Sequence, residues 1–238
     1  MQCVECILLS NIAFLSLFRL ARHVQSVQRL NSTCYLGAAL DILANPLIAP
    51  ISERWSPRSF APLTISEGEL ETLFEAARWA ASSFNEQPWR FIIATRSEPS
   101  FNLLASCLVE ANHWAVNAPV LFLSIAHRNF TKNGTENRHA WHDVGLAVGS
   151  ISIQAAAMGL QLHQMAGFSP ELARRLFSIP DDFDPVAMTA LGRPGDPQQL
   201  PEELRTAEIA QRGRRPLKEL VFSGTFGCPA PCATANSP

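Results

Sequence analysis

One segment of the chain is apolar almost without interruption and has the length of a strand. Pro119-Val-Leu-Phe-Leu-Ser-Ile-Ala126 contains no charge and no regular alternation of polar with apolar side chains. A strand with one face in water alternates, whereas a strand that is buried on both faces is a continuous apolar run. The segment therefore predicts a central strand in a sheet that is covered on both faces.

Helical and strand patterns alternate on either side of this strand. Ser66-Glu-Gly-Glu69 has the residues of a capping box, in which the Ser66 hydroxyl accepts from the Glu69 amide and the Glu69 side chain reaches back. This alternation predicts a three-layer α/β or α+β domain. The pattern predicts helices over 67–82, 99–112, 139–158 and 170–177, strands over 89–94, 119–126, 160–165 and 185–191, and an extended arm from 194 to about 226.

The two ends of the chain differ in composition from its centre. Residues 1–50 carry five charged side chains, and the apolar run at 7–18 is shorter than the ~20 residues that a membrane helix needs. Glu5 precedes that run, where a secretory signal would be positively charged. We expect a weakly structured or helical N-terminal extension over 1–50, a functional domain over 51–226, a disordered tail over 227–238 and no stable membrane span.

Five of the six cysteines lie in these ends, four of them within the first six or the last eleven residues. Cys3-x-x-Cys6 and Cys228-x-x-x-Cys232 have spacings that metal ligands use, but no histidine or cysteine cluster accompanies them, so we interpret them as free thiols. His139 and His142 flank one turn of a predicted helix, which we interpret as a polar helix start. We therefore expect no metal site. The absence of a regular disulfide spacing favours a reducing compartment, the cytoplasm.

Charge and missing motifs exclude several classes of function. The formal net charge of −2 gives no electrostatic basis for binding nucleic acid. Only Lys132 and Lys218 are lysines among 19 basic residues, so we expect any bound anion to be held by arginine forks. The sequence contains no Gly-rich phosphate loop, no H-E-x-x-H and no G-x-S-x-G, so hydrolases and kinases lose their usual support.

Arginines, hydroxyls and amides form three polar clusters. Pro57 favours an extended backbone at Ser56, and in an extended chain residues 54, 56 and 58 point to one side. Guanidinium, hydroxyl and guanidinium in a row suit a phosphate at one end and another electron-rich group at the other. Each cluster alone is more typical of a solvated surface, but together they favour a ligand with a phosphate, a polyol and a heterocycle edge. The clusters are Arg54-Trp-Ser-Pro-Arg58, Ser82-Ser-Phe-Asn-Glu-Gln-Pro88 and Arg212-Gly-Arg-Arg-Pro216.

With these residues the sequence resembles the nitroreductase family of FMN-dependent oxidoreductases. The chain departs from the family pattern at Ala81, where a proline is common, and at Ala166, where some members have an acidic residue. The motifs appear in the family's order across about 175 residues. They are Arg54-Trp-Ser-Pro-Arg-Ser-Phe60, Glu75-Ala-Ala-Arg-Trp-Ala-Ala-Ser-Ser-Phe-Asn-Glu-Gln-Pro-Trp-Arg-Phe91, Asn117-Ala-Pro-Val-Leu121, Asp143-Val-Gly145, Gly159-Leu160 leading to Gly167-Phe168, and Arg212-Gly-Arg-Arg-Pro216.

The resemblance implies a fold, a partner and a cofactor site. It implies a three-layer α+β fold, with a mostly antiparallel central sheet flanked by helices, in a homodimer with two FMN sites at the subunit interface. The implied FMN contacts cover the phosphate, the ribityl chain and the ring. Carried over by position, Arg54 and Ser56 bind the phosphate and ribityl end, and Arg58 lies toward the pyrimidine edge. The resemblance further implies that Ser82, Ser83 and Asn85 reach in from the other subunit and that Asn112 contacts the ribityl chain. It also implies that Gln164 to Gly167 lie along the isoalloxazine ring and that Arg212 and Arg214 complete the phosphate clamp.

The resemblance also implies an activity. An enzyme of this kind uses NADH or NADPH and FMN to reduce nitroaromatic, quinone or related small-molecule acceptors by ping-pong hydride transfer. Because the flavin carries the redox chemistry, no catalytic side chain is expected. Two alternatives remain open: a specialised flavoenzyme of the same fold, such as a dehalogenase or a dehydrogenase, and a non-catalytic flavin-binding protein.

Overall fold

The computed structural model describes residues 47–234, which fall into two compact units. One unit is Leu47–Ala210, and the described part of the other is residues 211–234. The extension predicted over 1–50 lies, up to residue 46, outside the described residues, and so do Cys3, Cys6 and Cys34.

The first unit is built on a four-stranded antiparallel sheet. Its strands are β1 (Trp89–Thr95), β2 (Val120–His127), β3 (Gln161–Met165) and β4 (Phe183–Gly192). Their order is β1-β2-β4-β3, so β2 is central and β1 and β3 are the edges. β2 is buried from Val120 through Ala126, which confirms the prediction from its continuous apolar run. The strands predicted from the sequence are all present.

The described residues form seven helices, six in the first unit and α7 in the second. The helix that follows Ser66 has the predicted capping box. Among the helices of residues 47–234, none has both the length and the apolar character to cross a bilayer. The helices are α1 (Ala49–Glu53), α2 (Glu67–Arg78), α3 (Pro99–Ser106), α4 (Ala140–Ala157), α5 (Pro170–Leu176), α6 (Glu202–Ile209) and α7 (Pro231–Thr234), with 3-10 turns at Ser83–Asn85, Glu110–Asn117, Pro197–Gln199 and Leu217–Glu219.

Helices cover both faces of the sheet, and alternate residues of β2 enter two separate cores. Val120 and Phe122 pack with α2 and α4 on one face. Leu121 and Leu123 pack with α3 and α5 on the other face. This arrangement follows from the period of two in a strand, which sends successive side chains to opposite faces. The expected three-layer α+β architecture is therefore present.

Three predicted boundaries are wrong. The helix predicted over 99–112 ends at Ser106, because Leu108 pairs with Phe168 and the chain continues as a 3-10 turn. The helix predicted to end near 82 ends at Arg78. The arm predicted to be extended from 194 to 226 contains α6, which begins after Pro201 and has two glutamates in its first turn. Proline at a helix start and acidic residues near the N-terminal dipole both favour that helix.

The described part of the second unit is a short turn-rich segment. Phe222 pairs with Pro229, and the amide of Ala230 donates to the Val221 carbonyl over 2.9 Å. The rings of Phe222 and Phe226 lie 4.9 Å apart. These contacts are all local, within residues 221–230.

Candidate functional site

The segment Arg54–Arg58 leaves α1 in an extended conformation. Pro57 is buried, while Arg54, Ser56 and Arg58 are partly exposed, as the alternation of an extended chain requires. A guanidinium nitrogen of Arg54 donates to the Ser56 hydroxyl over 3.2 Å. The Arg54 guanidinium and the Ser56 hydroxyl therefore stand side by side.

Three side chains from distant parts of the sequence hold the backbone of this segment. Two come from the edge strand β3 and the third comes from α6. Each satisfies a main-chain group, so the peptide units of the segment are fixed. The bonds are Trp55 N to Gln161 Oε1 at 2.9 Å, His163 Nδ1 to Pro57 O at 3.0 Å, and Arg58 N to Glu208 Oε2 at 2.9 Å.

The Glu208 carboxylate is the buried charge of this site. Its side chain is 5% exposed and lies 3.8 Å from a guanidinium nitrogen of Arg58. Burial raises the pKa of Glu208, while hydrogen bonds from the Arg58 amide, the charge of Arg58 and hydrogen bonds from Ser59 and Trp55 oppose that rise. The carboxylate thus receives several donors yet is costly to ionise in this position.

His163 is held as a hydrogen-bond donor on the other side of the segment. Because the Pro57 carbonyl can only accept, Nδ1 of His163 carries the proton. The ring packs 4.6 Å from that of Trp114. Burial is the main cause that lowers the pKa of His163, and the positive charge of Arg58 lowers it further. His163 is therefore neutral at pH 7 and contributes no second cation beside Arg58.

A glycine lets the chain after β4 cross directly against this segment. The amide of Gly195 donates to the Ser59 carbonyl over 2.8 Å, and the Ser59 hydroxyl donates to Asp196. A Cβ on Gly195 would lie 2.6 Å from the carbonyl carbon of Phe60. Only glycine allows two backbones to approach this closely.

The loop after β3 lies against the 3-10 turn that contains Asn112. The side-chain amide of Asn112 donates to the Gly167 carbonyl over 2.9 Å, and the Val109 amide donates to the same oxygen. A Cβ on Gly167 would lie 2.6 Å from the Asn112 amide nitrogen. Asn112 and Gly167 are thus in contact, and Gln164 is exposed on β3 two residues before that loop. Their contacts to a flavin remain predictions.

The second predicted cluster forms a strained turn before β1. Phe84, Asn85 and Gln87 have φ values of 52°, 56° and 51°, a left-handed region that costs about 1–3 kcal/mol per non-glycine residue. The Ser82 hydroxyl accepts from the Gln87 amide over 3.0 Å. The Phe84 side chain is 91% exposed. The surrounding bonds therefore hold a conformation that these residues disfavour.

Two carboxylates anchor the same turn, one from α4 and one within the turn itself. The buried Asp143, in the first turn of α4, accepts from the Ser83 amide over 2.9 Å and lies 3.1 Å from Nδ1 of His142. Glu86 accepts from the amide of Thr131 over 2.8 Å and also from its hydroxyl, and these bonds lower the pKa of Glu86. Residues 139–143, which the sequence suggested to be a polar helix start, therefore have a definite role, because Asp143 positions Ser83.

The two clusters lie at opposite edges of the sheet in one chain. The Ser82–Asn85 turn precedes β1, whereas the Arg54–Arg58 segment is held by β3. The two edge strands are three strand spacings apart, a distance of about 14 Å across the sheet. Arg212 and Arg214 belong to the other unit, so their part in a phosphate clamp stays a prediction.

Sequence reasoning missed the side chains that hold the segment in place. Gln161 and His163 alternate as polar residues on a short strand, which is a weak signal of a functional edge. Glu208 carries no signal, because it is one of three glutamates on a short helix and its partner lies 150 positions earlier in the chain. No group of three histidine, cysteine or acidic side chains that could hold a metal is found within residues 47–234.

The sequence model of the nitroreductase family matches this chain over residues 51–112 and 102–193, which together exceed half of its length. An NADH dehydrogenase of Thermus thermophilus is 26% identical over 175 residues, covering 60% of this chain and 84% of that protein.

Two solved structures give the same picture of the fold. A crystal structure described as that of an oxidoreductase containing FMN is 32% identical, with a TM-score of 0.73, and covers 77% of this chain and 94% of that one. A protein from Desulfovibrio desulfuricans, solved in complex with FMN, is 25% identical with a TM-score of 0.61, covering 76% of this chain and 98% of that one.

Proposed function

Because the chain belongs to the nitroreductase family, we propose that it is an FMN-dependent oxidoreductase that takes electrons from NADH or NADPH and passes them to a small-molecule acceptor. The single observation that carries the proposal is the Arg54–Arg58 segment, whose backbone is fixed by three side chains. The Arg54 guanidinium and the Ser56 hydroxyl already lie side by side on it, and Arg58 would supply a second guanidinium. Such preorganisation lowers the cost of binding.

The donor set of this segment fits the chemical groups of FMN. Arg54 and Ser56 would hold the phosphate and the ribityl end, because a guanidinium fork matches a phosphate in both charge and geometry. Arg58 would face the electron-rich pyrimidine edge of the ring. Arg212 and Arg214 would add further cations to the phosphate. Bound FMN would supply the hydride acceptor and donor of a ping-pong reaction, and the protein's groups would supply position and charge.

The loop after β3 would lie along the flavin ring. The bond from Asn112 to the Gly167 carbonyl and the tight contact at Gly167 fix this loop, so Gln164 and Gly167 would present a rigid edge. The amide nitrogen of Asn112 is already engaged with Gly167, which leaves its carbonyl oxygen for a ribityl hydroxyl. A rigid loop is the property that a ring-binding site needs.

We further propose a homodimer in which the turn of one subunit completes the site of the other. The outer face of α4 supports this, because the large apolar side chains of Leu146 and Ile153 are exposed there. A Cβ on Gly145 or Gly149 would meet nothing within 4 Å, so a helix of a second copy can approach closely. The Asp143 contact connects this helix to the turn that contains Ser82, Ser83 and Asn85.

Anaerobic reduction tests the proposed activity. The purified protein is loaded with FMN, and the flavin absorbance is followed after NADH or NADPH is added without oxygen. The proposal expects the visible flavin bands to bleach and to return when a quinone or nitroaromatic acceptor is added.

Three outcomes separate the alternatives. Failure to bind FMN would refute the proposal as a whole. FMN that binds but is reduced by neither nucleotide would favour a non-catalytic flavin-binding protein. Reduction without reoxidation by quinones, nitroaromatics or enones would favour a specialised dehydrogenase or dehalogenase of the same fold.

A further inference from the structure

We propose that Glu208 is a positioning residue of the flavin site: its carboxylate fixes the backbone of the Arg54–Arg58 segment and sets how much positive charge Arg58 presents to the flavin ring. The charge part of this proposal rests on the proposed FMN site. The backbone part rests on the structure of the protein alone.

The positional role follows from which atoms Glu208 contacts. Its Oε2 accepts from the Arg58 amide over 2.9 Å, and the Ser59 amide and the Trp55 indole also hydrogen-bond to the carboxylate. These donors lie on either side of Ser56, so one carboxylate spans the stretch that carries the row of polar side chains. Without an acceptor, the Arg58 amide would lose its hydrogen bond, and the segment would rearrange to satisfy it.

The charge role follows from the distance between the two ionised groups. Oε2 of Glu208 lies 3.8 Å from a guanidinium nitrogen of Arg58, and the carboxylate is almost fully buried. Salt and water screen such a pair weakly. Reduced flavin is negatively charged near N1 and O2, so a cation at that edge stabilises the reduced form. A carboxylate behind the same cation weakens this effect.

The burial of Glu208 argues against a purely structural role. Ionising a buried carboxylate is costly, and a neutral residue in the same place accepts backbone hydrogen bonds with a smaller desolvation cost. The fold therefore gains little from the charge itself. A carboxylate beside Arg58 is explained if its charge tunes the stability of the reduced flavin.

Two variants and a control separate position from charge. Glu208→Gln keeps an oxygen acceptor for the Arg58 amide but removes the charge, whereas Glu208→Ala removes both. Glu203→Gln changes an exposed glutamate of the same helix and serves as the control. Each protein is assayed at pH 8 for FMN affinity, for the midpoint potential of the bound flavin, and for amide hydrogen exchange in the absence of FMN.

We expect Glu208→Gln to bind oxidised FMN within threefold of the unmodified protein and to bind reduced FMN at least threefold more tightly relative to oxidised FMN, which makes its potential more positive. We expect Glu208→Ala to bind FMN at least tenfold more weakly and to exchange the Arg58 and Ser59 amides faster. Glu203→Gln should match the unmodified protein.

An unchanged potential in Glu208→Gln would overturn the charge role. Unchanged exchange of the Arg58 and Ser59 amides in Glu208→Ala would overturn the positional role. If the unmodified protein binds no FMN, the proposed function fails instead, and hydrogen exchange still decides whether Glu208 holds the segment.

Discussion

The carboxylate of Glu208 accepts a hydrogen bond from the backbone amide of Arg58 over 2.9 Å, across 150 positions of sequence. This contact connects the last long helix of the first unit to the segment that carries the proposed phosphate and ring contacts. It explains how an extended chain, which has few bonds of its own, is held in one conformation.

Burial of Glu208 predicts how folding stability depends on pH. Because burial raises the pKa of Glu208 above its value in the unfolded chain, the folded state binds more protons between those two values, and stability falls as pH rises through that window. Relative to Glu208→Gln, the unmodified protein should therefore lose stability as the pH rises from about 4.5. Urea unfolding at a series of pH values measures the difference. If the unmodified protein instead became more stable relative to Glu208→Gln as the pH rises, the conclusion that burial raises the pKa of Glu208 would be contradicted.

Gly195 offers a test of the close backbone crossing. In Gly195→Ala the new Cβ would press on the backbone of Phe60 at 2.6 Å and on the Ser59 hydroxyl at 2.7 Å. We expect a loss of about 1–3 kcal/mol in the free energy of unfolding and weaker FMN binding, because the Arg54–Arg58 segment would shift with Ser59.

Gly68 provides the matched control for that substitution. It lies in the first turn of α2, where a Cβ would meet nothing within 4 Å. Gly68→Ala should leave FMN binding unchanged and raise the free energy of unfolding by up to about 1 kcal/mol, since alanine is the better helix former. Equal effects of the two substitutions on chemical denaturation would refute the packing argument.

The lowered pKa of Glu69 predicts that folding stability falls as the pH is lowered, which is opposite to the pH dependence expected from Glu208. Hydrogen bonds from the Ser66 amide and hydroxyl, followed by the one from Arg193, lower its pKa to about 2. A lowered pKa contributes stability above the unfolded value of 4.5 that is lost as the pH falls toward 2. Glu69→Gln should cost about 1 kcal/mol at pH 7, and its cost should vanish near pH 2. Thermal melts at pH 7, 4 and 2 would show whether the cost is constant instead.

The proposed dimer predicts different effects for two similar leucines. Leu146 on α4 and Leu103 on α3 have nearly equal exposure, 41% and 42%. Leu146→Lys should convert the protein to a monomer and weaken FMN binding, because a buried charge in an apolar interface is costly. Leu103→Lys should do neither. Sedimentation equilibrium measures both, and a dimeric Leu146→Lys would exclude this face of α4 as the interface.

The sequence predicts the core of this fold better than the connections around it. The continuous run of β2 and the capping box before α2 are local patterns, and both are present. α6 is only eight residues long with three apolar side chains, so its periodicity is too weak to interrupt a predicted extended arm. Its contact to the Arg58 backbone through Glu208 joins residues 150 positions apart, which a local pattern cannot contain.

The candidate site likewise combines residues that a local pattern reveals with residues that only distant contacts bring to it. The resemblance supplied the residues that we propose to face the ligand, such as Arg54, Ser56 and Arg58, because they fall in a contiguous motif. The groups that hold this motif come from β3 and α6, and none of them is in its neighbourhood in sequence. They become visible only when the chain is folded.

The most direct test of the account is the affinity of the Arg54→Ala protein for FMN, measured by the change in flavin absorbance or fluorescence on titration. Arg175→Ala, which changes an exposed arginine of α5, is the control. Loss of a charge-assisted phosphate contact is worth about 1.5–3 kcal/mol, so the account predicts that Arg54→Ala binds FMN roughly 10- to 100-fold more weakly while Arg175→Ala is unchanged. Equal FMN affinity in Arg54→Ala and the unmodified protein would contradict the assignment of the phosphate to this segment.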